Sequence, residues 1–137
     1  MPSMLRSILA VVAGFLLIGA LAFGTGAALH AAGIQPAAGE PMMEPALILL
    51  EAAYVAAFAI AGCWLTAALA PANPMRHALI LGALGLVFNV MGALATWGER
   101  PVWAVALNLA LVMPYAWAGG RMRERQLERT SAVRVAG

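Results

Sequence analysis

Only a few side chains in this sequence could do chemistry inside its long apolar runs: Thr25, Glu51, Thr66, Asn89, Thr96 and Asn108. Glu51 is the sharpest of them. A charged carboxylate in hydrocarbon is expensive, so the group must be protonated, paired or wetted. Two chemistries suit it. It could be a proton or cation site open to the outside. It could instead be a protonated carboxyl, hydrogen-bonded to Asn89 or Asn108 and serving as packing glue. The second is the simpler reading, and Glu51–Asn108 is the expected contact. Asn89 and Asn108 read chiefly as glue between helices, since amide hydrogen bonds commonly serve helix association in membranes.

The remaining reactive residue types do not assemble into a site. His30 and His77 fall near opposite ends of their apolar segments and cannot share a metal. Met42 and Met43 are adjacent, but a soft-metal site needs more converging ligands. The chain has one cysteine, Cys63, so it can form neither an intrachain disulfide, a CxxC pair nor a thiolate zinc cage. No nucleophile–base set or phosphate-binding loop is present, and Glu51 has no histidine at its depth to work with. The expectation is a protein that is not an enzyme, with no cofactor and no metal.

Composition says where such residues must sit. Of 137 residues, 64% are hydrophobic and 10% are charged, with a mean hydropathy of +0.88. An ordinary soluble domain is about 25% charged, and a small soluble fold could not hide this much apolar surface. A soluble enzyme, a nucleic-acid-binding domain and a disordered tail are therefore excluded, and the lipid bilayer is the expected surrounding. Crossing it takes about 20 apolar residues per helix. Four segments qualify, at about 7–32, 45–70, 75–97 and 101–119. None alternates with period two, so a barrel is not expected.

The connections support this division. Gly33 to Pro45 carries three prolines and two glycines, which interrupt helices. PANP (Pro71 to Pro74) and GERP (Gly98 to Pro101) are tight breaks. Loops this short set consecutive helices antiparallel. The expected fold is all-α, an integral membrane antiparallel four-helix bundle over residues 1–120, followed by an Arg-rich tail over 121–137. All eight basic residues are Arg, and only Arg100 falls on the side opposite Arg6, Arg76, Arg121, Arg123, Arg125, Arg129 and Arg134. Basic residues beside helix ends stay in the cytoplasm, so both termini are expected there. In the tail, Arg121, Arg123 and Arg125 could also meet anionic lipid headgroups, whereas nucleic acid is not an expected partner.

Helical spacing then groups the polar residues. At about 1.5 Å of rise per residue, Thr25, Glu51, Asn89 and Asn108 lie roughly 9–12 Å below the outer boundary, one from each helix. A polar membrane cluster of these four is expected, whether for binding or for packing. Gly82, Gly85 and Gly92 line the face that carries Asn89, while Ala20 and Gly24 line a small-residue face on the first helix. Such stripes mark close helix–helix contacts.

Two stretches, HALILGALGLVFNVMGAL (His77 to Leu94) and RPVWAVALNLALVMPYAWAGGRMR (Arg100 to Arg123), resemble a family of small four-helix bacterial inner-membrane proteins. The opening MLRSILAVVAGFLL (Met4 to Leu17) and the Pro-rich loop look similar too. The most specific parts are the Pro-Val-Trp start of the fourth helix and its Pro-x-x-x-x-Gly-Gly-Arg end (Pro114 to Arg121). No activity is assigned to that family, so the resemblance implies a topology and carries over no catalytic residue. The expected function is a non-catalytic membrane protein, an accessory or assembly subunit of a larger complex or a homo-oligomer, with a protein partner in the membrane. The alternative is a small proton-coupled transporter or ion carrier using Glu51.

Overall fold

The computed structural model describes residues 2–37 and 39–137. It is all-α over those residues, with α1 at Ser3–Ala31, α2 at Pro45–Leu69, α3 at Pro74–Ala95 and α4 at Val102–Ala136. Each helix is long and apolar enough to cross a membrane, and even the 22 residues of α3 cover about 33 Å at 1.5 Å per residue.

Local chemistry sets the helix ends. Gly33 takes φ +73° after α1, with Ile34 N–H donating to the Leu29 carbonyl, which closes the helix in a left-handed turn. Pro45 and Pro74 open α2 and α3, where a missing N–H costs nothing. Asn73, just before Pro74, takes φ +50°, a conformation that asparagine tolerates better than most residues.

The fourth helix departs from expectation. It does not stop near Gly119 but continues through the Arg-rich tail to Ala136. Gly119 and Gly120 stay helical because both are wedged against other helices: Cys63, Ile60 and Trp64 on one side, Met75 and Ala78 on the other. Beyond them the sequence is rich in good helix formers, and Arg121 reaches Glu124 at 3.1 Å and Glu128 at 3.8 Å along the helix surface.

The helices form two antiparallel hairpins, α1–α2 and α3–α4. The hairpins meet through α2, which lies against both α3 and α4, while α1 touches α3 and does not reach α4. Burial is strongly lopsided. Call the half holding the N-terminus and the α2–α3 turn the lower half. It contains Ala10, Gly14, Gly62, Cys63, Thr66, Ala67, His77, Ala78, Leu81, Gly82, Ala116, Gly119 and Gly120, all buried. In the upper half, Ile48 and Ala104 are the only buried helical residues among those described, and they form a small cluster with Met42.

The same helix faces continue upward without cover. On α1 the buried row Ala10, Gly14 runs on to Leu21 and Ala28, which are exposed, and to half-buried Thr25. On α3 the row Ala78, Gly82 runs on to half-buried Gly85 and Asn89 and then to exposed Gly92 and Thr96. Elsewhere the surface is apolar, with Phe23 81% exposed and Leu94 69% exposed, as suits a multi-pass chain whose helices face lipid.

Candidate functional site

The expected four-residue cluster is divided in two. Glu51, one to two turns into α2, meets Arg100 from the α3–α4 connection. The guanidinium takes the carboxylate with both arms, Nη2 to Oε1 at 3.1 Å and Nη1 to Oε2 at 2.5 Å. A planar fork of N–H donors matches the two carboxylate oxygens, so this bidentate form is the strong one. The side chains are 25% exposed for Glu51 and 37% for Arg100, so the pair is partly screened. Glu51 therefore satisfies its charge by pairing with an arginine, and the expected hydrogen bond to Asn108 or Asn89 does not form.

The two asparagines find each other instead. Asn108 Nδ2 donates to Asn89 Oδ1 at 2.7 Å, and Asn89 Nδ2 donates to the Gly85 carbonyl one turn back, also at 2.7 Å. They tie α3 to α4. Asn108 remains exposed. Thr25 joins neither group: it is half-buried on α1, with no side-chain hydrogen bond among the described residues.

A second polar group, not foreseen from the sequence, lies near Glu51. Gln35, in the α1–α2 connection, is only 6% exposed. Its Oε1 accepts from the Tyr54 hydroxyl at 3.3 Å, and its backbone carbonyl accepts from His30 Nδ1 at 3.2 Å. Its Nε2 is buried without a partner among the described residues. Met42 N–H donates to the Glu99 carbonyl at 2.9 Å, so the two upper connections are joined by backbone as well.

The lower half has its own polar seam. Thr66 is fully buried and donates from Oγ1 to the Ala10 carbonyl at 3.0 Å, linking α2 to α1. His77 is also buried. Its Nδ1 lies 3.1 Å from the Asn73 carbonyl and its Nε2 2.9 Å from Ser7 Oγ. A carbonyl can only accept, so Nδ1 donates to Asn73, while the Ser7 hydroxyl that meets Nε2 also lies 3.0 Å from the Ser3 carbonyl. Although it falls near the end of its apolar segment, His77 is a contact between α3 and α1. Thr66→Val keeps the volume and removes the hydroxyl. It should lower unfolding stability by about 0.5–1.5 kcal/mol, measured by chemical denaturation in detergent; no change would mean the bond contributes nothing.

The close helix contacts are only in part the expected ones. Gly82 is a true contact, since a Cβ there would overlap that of Ala116, and Gly85 lies in ordinary contact range of Val112 at 3.8 Å. Gly92 and Gly24 face open space, and Ala20 is exposed. Gly92 continues the buried side of α3 into the upper half, where it is uncovered, whereas Ala20 points away from the side of α1 that carries Ala10 and Gly14. The tightest approaches are at Gly14, Gly62 and Gly82, followed by Gly119 and Gly120, all in the lower half.

Of the three tail arginines, Arg121 is engaged with Glu124 and Glu128, Arg123 Nη1 lies 3.4 Å from Gln126 Oε1, and Arg125 is exposed. Gln126 Oε1 also accepts from Trp64 Nε1 at 2.9 Å, which docks the tail's first turns onto α2. Among the described residues no three His, Cys, Asp or Glu side chains come together as a metal cage. Comparison with protein-family models, curated proteins and solved structures finds no match to this chain.

Proposed function

We propose that this chain is a non-catalytic integral membrane protein that works by association, as an accessory or assembly subunit of a larger membrane complex or as a homo-oligomer. The observation that carries the reading is the uncovered upper half. Faces that are buried below continue upward onto exposed residues, so four helices from one chain do not complete their own core. The polar groups support it. Glu51 is held by Arg100 and the asparagines hold each other, an arrangement that braces helices and leaves no free acid–base pair. Purification in mild detergent should yield either a co-purifying membrane protein or a mass well above 14.2 kDa for the protein component. A lone protomer with no partner would overturn the proposal.

The bacterial inner membrane, with both termini cytoplasmic, is part of the same reading and is supported by the arginine distribution. In a Cys63→Ala background, Gly39→Cys and Thr130→Cys should react with impermeant thiol reagents from opposite sides of the membrane, Thr130→Cys from the cytoplasm. Same-side labelling would contradict the four-pass arrangement. The alternative, a carrier using Glu51, requires the carboxylate to leave Arg100 during each cycle. Vesicle flux present in the wild type and lost in Glu51→Gln would favour it; equal flux in both would remove it.

A further inference from the structure

We propose that a second copy of this chain docks on the upper halves of α3 and α4, with the Asn89–Asn108 pair of each copy at the centre of a two-fold interface. The proposal rests on the association reading above and names the partner. Its starting point is an incomplete hydrogen-bond set. A side-chain amide offers two N–H donors and a carbonyl with two lone pairs. Asn108 uses one donor, on Asn89, and its Oδ1 accepts nothing among the described residues. Asn89 uses one donor, on Gly85.

Both residues lie inside helices long and apolar enough to cross a membrane. Asn89 lies six residues before the end of α3 and Asn108 six residues after the start of α4, about 9 Å along the helix in each case. At that depth lipid tails offer neither donors nor acceptors, and unmet polar groups there are costly. Yet Asn108 is exposed. Whatever covers it should present both a donor and an acceptor at the same depth.

A second copy meets both requirements. An amide is complementary to itself, donor to acceptor and acceptor to donor. In a two-fold dimer whose axis runs along the membrane normal, equivalent residues lie at equal depth, and those placed beside the axis meet each other. Depth matching then needs no tuning. The neighbouring surface allows the approach: Gly92, one turn above Asn89, is exposed and has nothing within 4 Å of the position its Cβ would take, so a partner helix can come close to the backbone. Among the described residues, no other polar side chain in the spans is exposed with an unmet acceptor so far from a helix end.

The test compares wild type, Asn108→Leu and Asn108→Gln by sedimentation equilibrium in mild detergent. Wild type should be dimeric. Losing two symmetric amide contacts should weaken the dimer roughly 10- to 100-fold, while Asn108→Gln, which keeps the amide, should weaken it less. In a Cys63→Ala background, Asn108→Cys should cross-link between copies in native membranes and Gly24→Cys, on α1, should not. This second measurement stands even if Asn108→Leu fails to fold. A dimer unaffected by Asn108→Leu, cross-linking through Gly24→Cys alone, or ready labelling of Asn108→Cys by a water-soluble reagent would overturn the inference. Co-purification of a different membrane protein, with no self-association, would overturn it while leaving the association reading in place. A lone protomer would remove both.

Discussion

Replacing Glu51 with Gln should destabilise the protein, and replacing Arg100 with Gln as well should restore part of the loss. The single substitution leaves a guanidinium whose two arms were both occupied by the carboxylate. Breaking a fully buried pair by removing one partner costs about 3–5 kcal/mol, whereas exposed pairs contribute about 0.2–1 kcal/mol. Side-chain exposures of 25% and 37% place this pair between those limits, and the bidentate geometry favours the upper part of the range. A loss on the order of 1–3 kcal/mol is expected for Glu51→Gln or Arg100→Gln alone. The double variant should fall short of the sum by roughly 1 kcal/mol or more, which is how contacting residues behave in a double-mutant cycle. Denaturation in detergent provides the measurement. Strict additivity, or a Glu51→Gln variant as stable as wild type, would mean the ion pair is not holding the α3–α4 connection onto α2.

How this pair escaped the sequence shows what kind of information a sequence lacks. Four apolar runs and three Pro/Gly breaks place every helix end but the last, that of α4, to within a few residues, because chain breakers and hydrocarbon length act locally. The Arg100–Glu51 contact depends on where a loop falls over a neighbouring helix. From sequence, Arg100 was the lone exception to the arginine asymmetry, and its long stem lets it reach a group well inside the adjacent span. The glycines illustrate a second gap. Gly82 and Gly92 flank Asn89 in one small-residue stripe along α3, so periodicity gives them the same role. Only one is in contact, since burial depends on height within the bundle and falls away in the upper half. Helix period reports direction around an axis and says nothing of how far away the next axis is. The extension of α4 to Ala136 was obscured by the reverse effect, because Gly119–Gly120 and a change to charged composition resemble a stop, and tertiary contact keeps the helix intact through them.

That distinction predicts opposite signs for one chemical change. Glycine inside a helix costs about 0.5–1 kcal/mol relative to alanine, through its greater freedom in the unfolded chain. Gly24 has no neighbour within 4 Å of an added Cβ, so Gly24→Ala should be neutral or stabilise by up to that amount. At Gly119 a Cβ would stand 2.7 Å from Cys63 Cβ, the Ile60 carbonyl oxygen and the Trp64 nitrogen. Two of those atoms are backbone in the middle of α2 and cannot swing aside. At Gly14 it would overlap Thr66 Oγ1 and come within 2.6 Å of the Gly62 carbonyl, displacing the hydroxyl that binds Ala10. Overpacking of this kind costs about 1–3 kcal/mol and sometimes more, enough to outweigh the gain in helix propensity. Gly14→Ala and Gly119→Ala should therefore lower stability even though alanine is the better helix former, and valine at either position should be worse. Thermal and denaturant unfolding of the three alanine variants, compared in one detergent, would read out the signs directly. Stabilisation by Gly119→Ala, or a loss at Gly24→Ala as large as at Gly14→Ala, would show that the tight lower half and open upper half do not describe this protein.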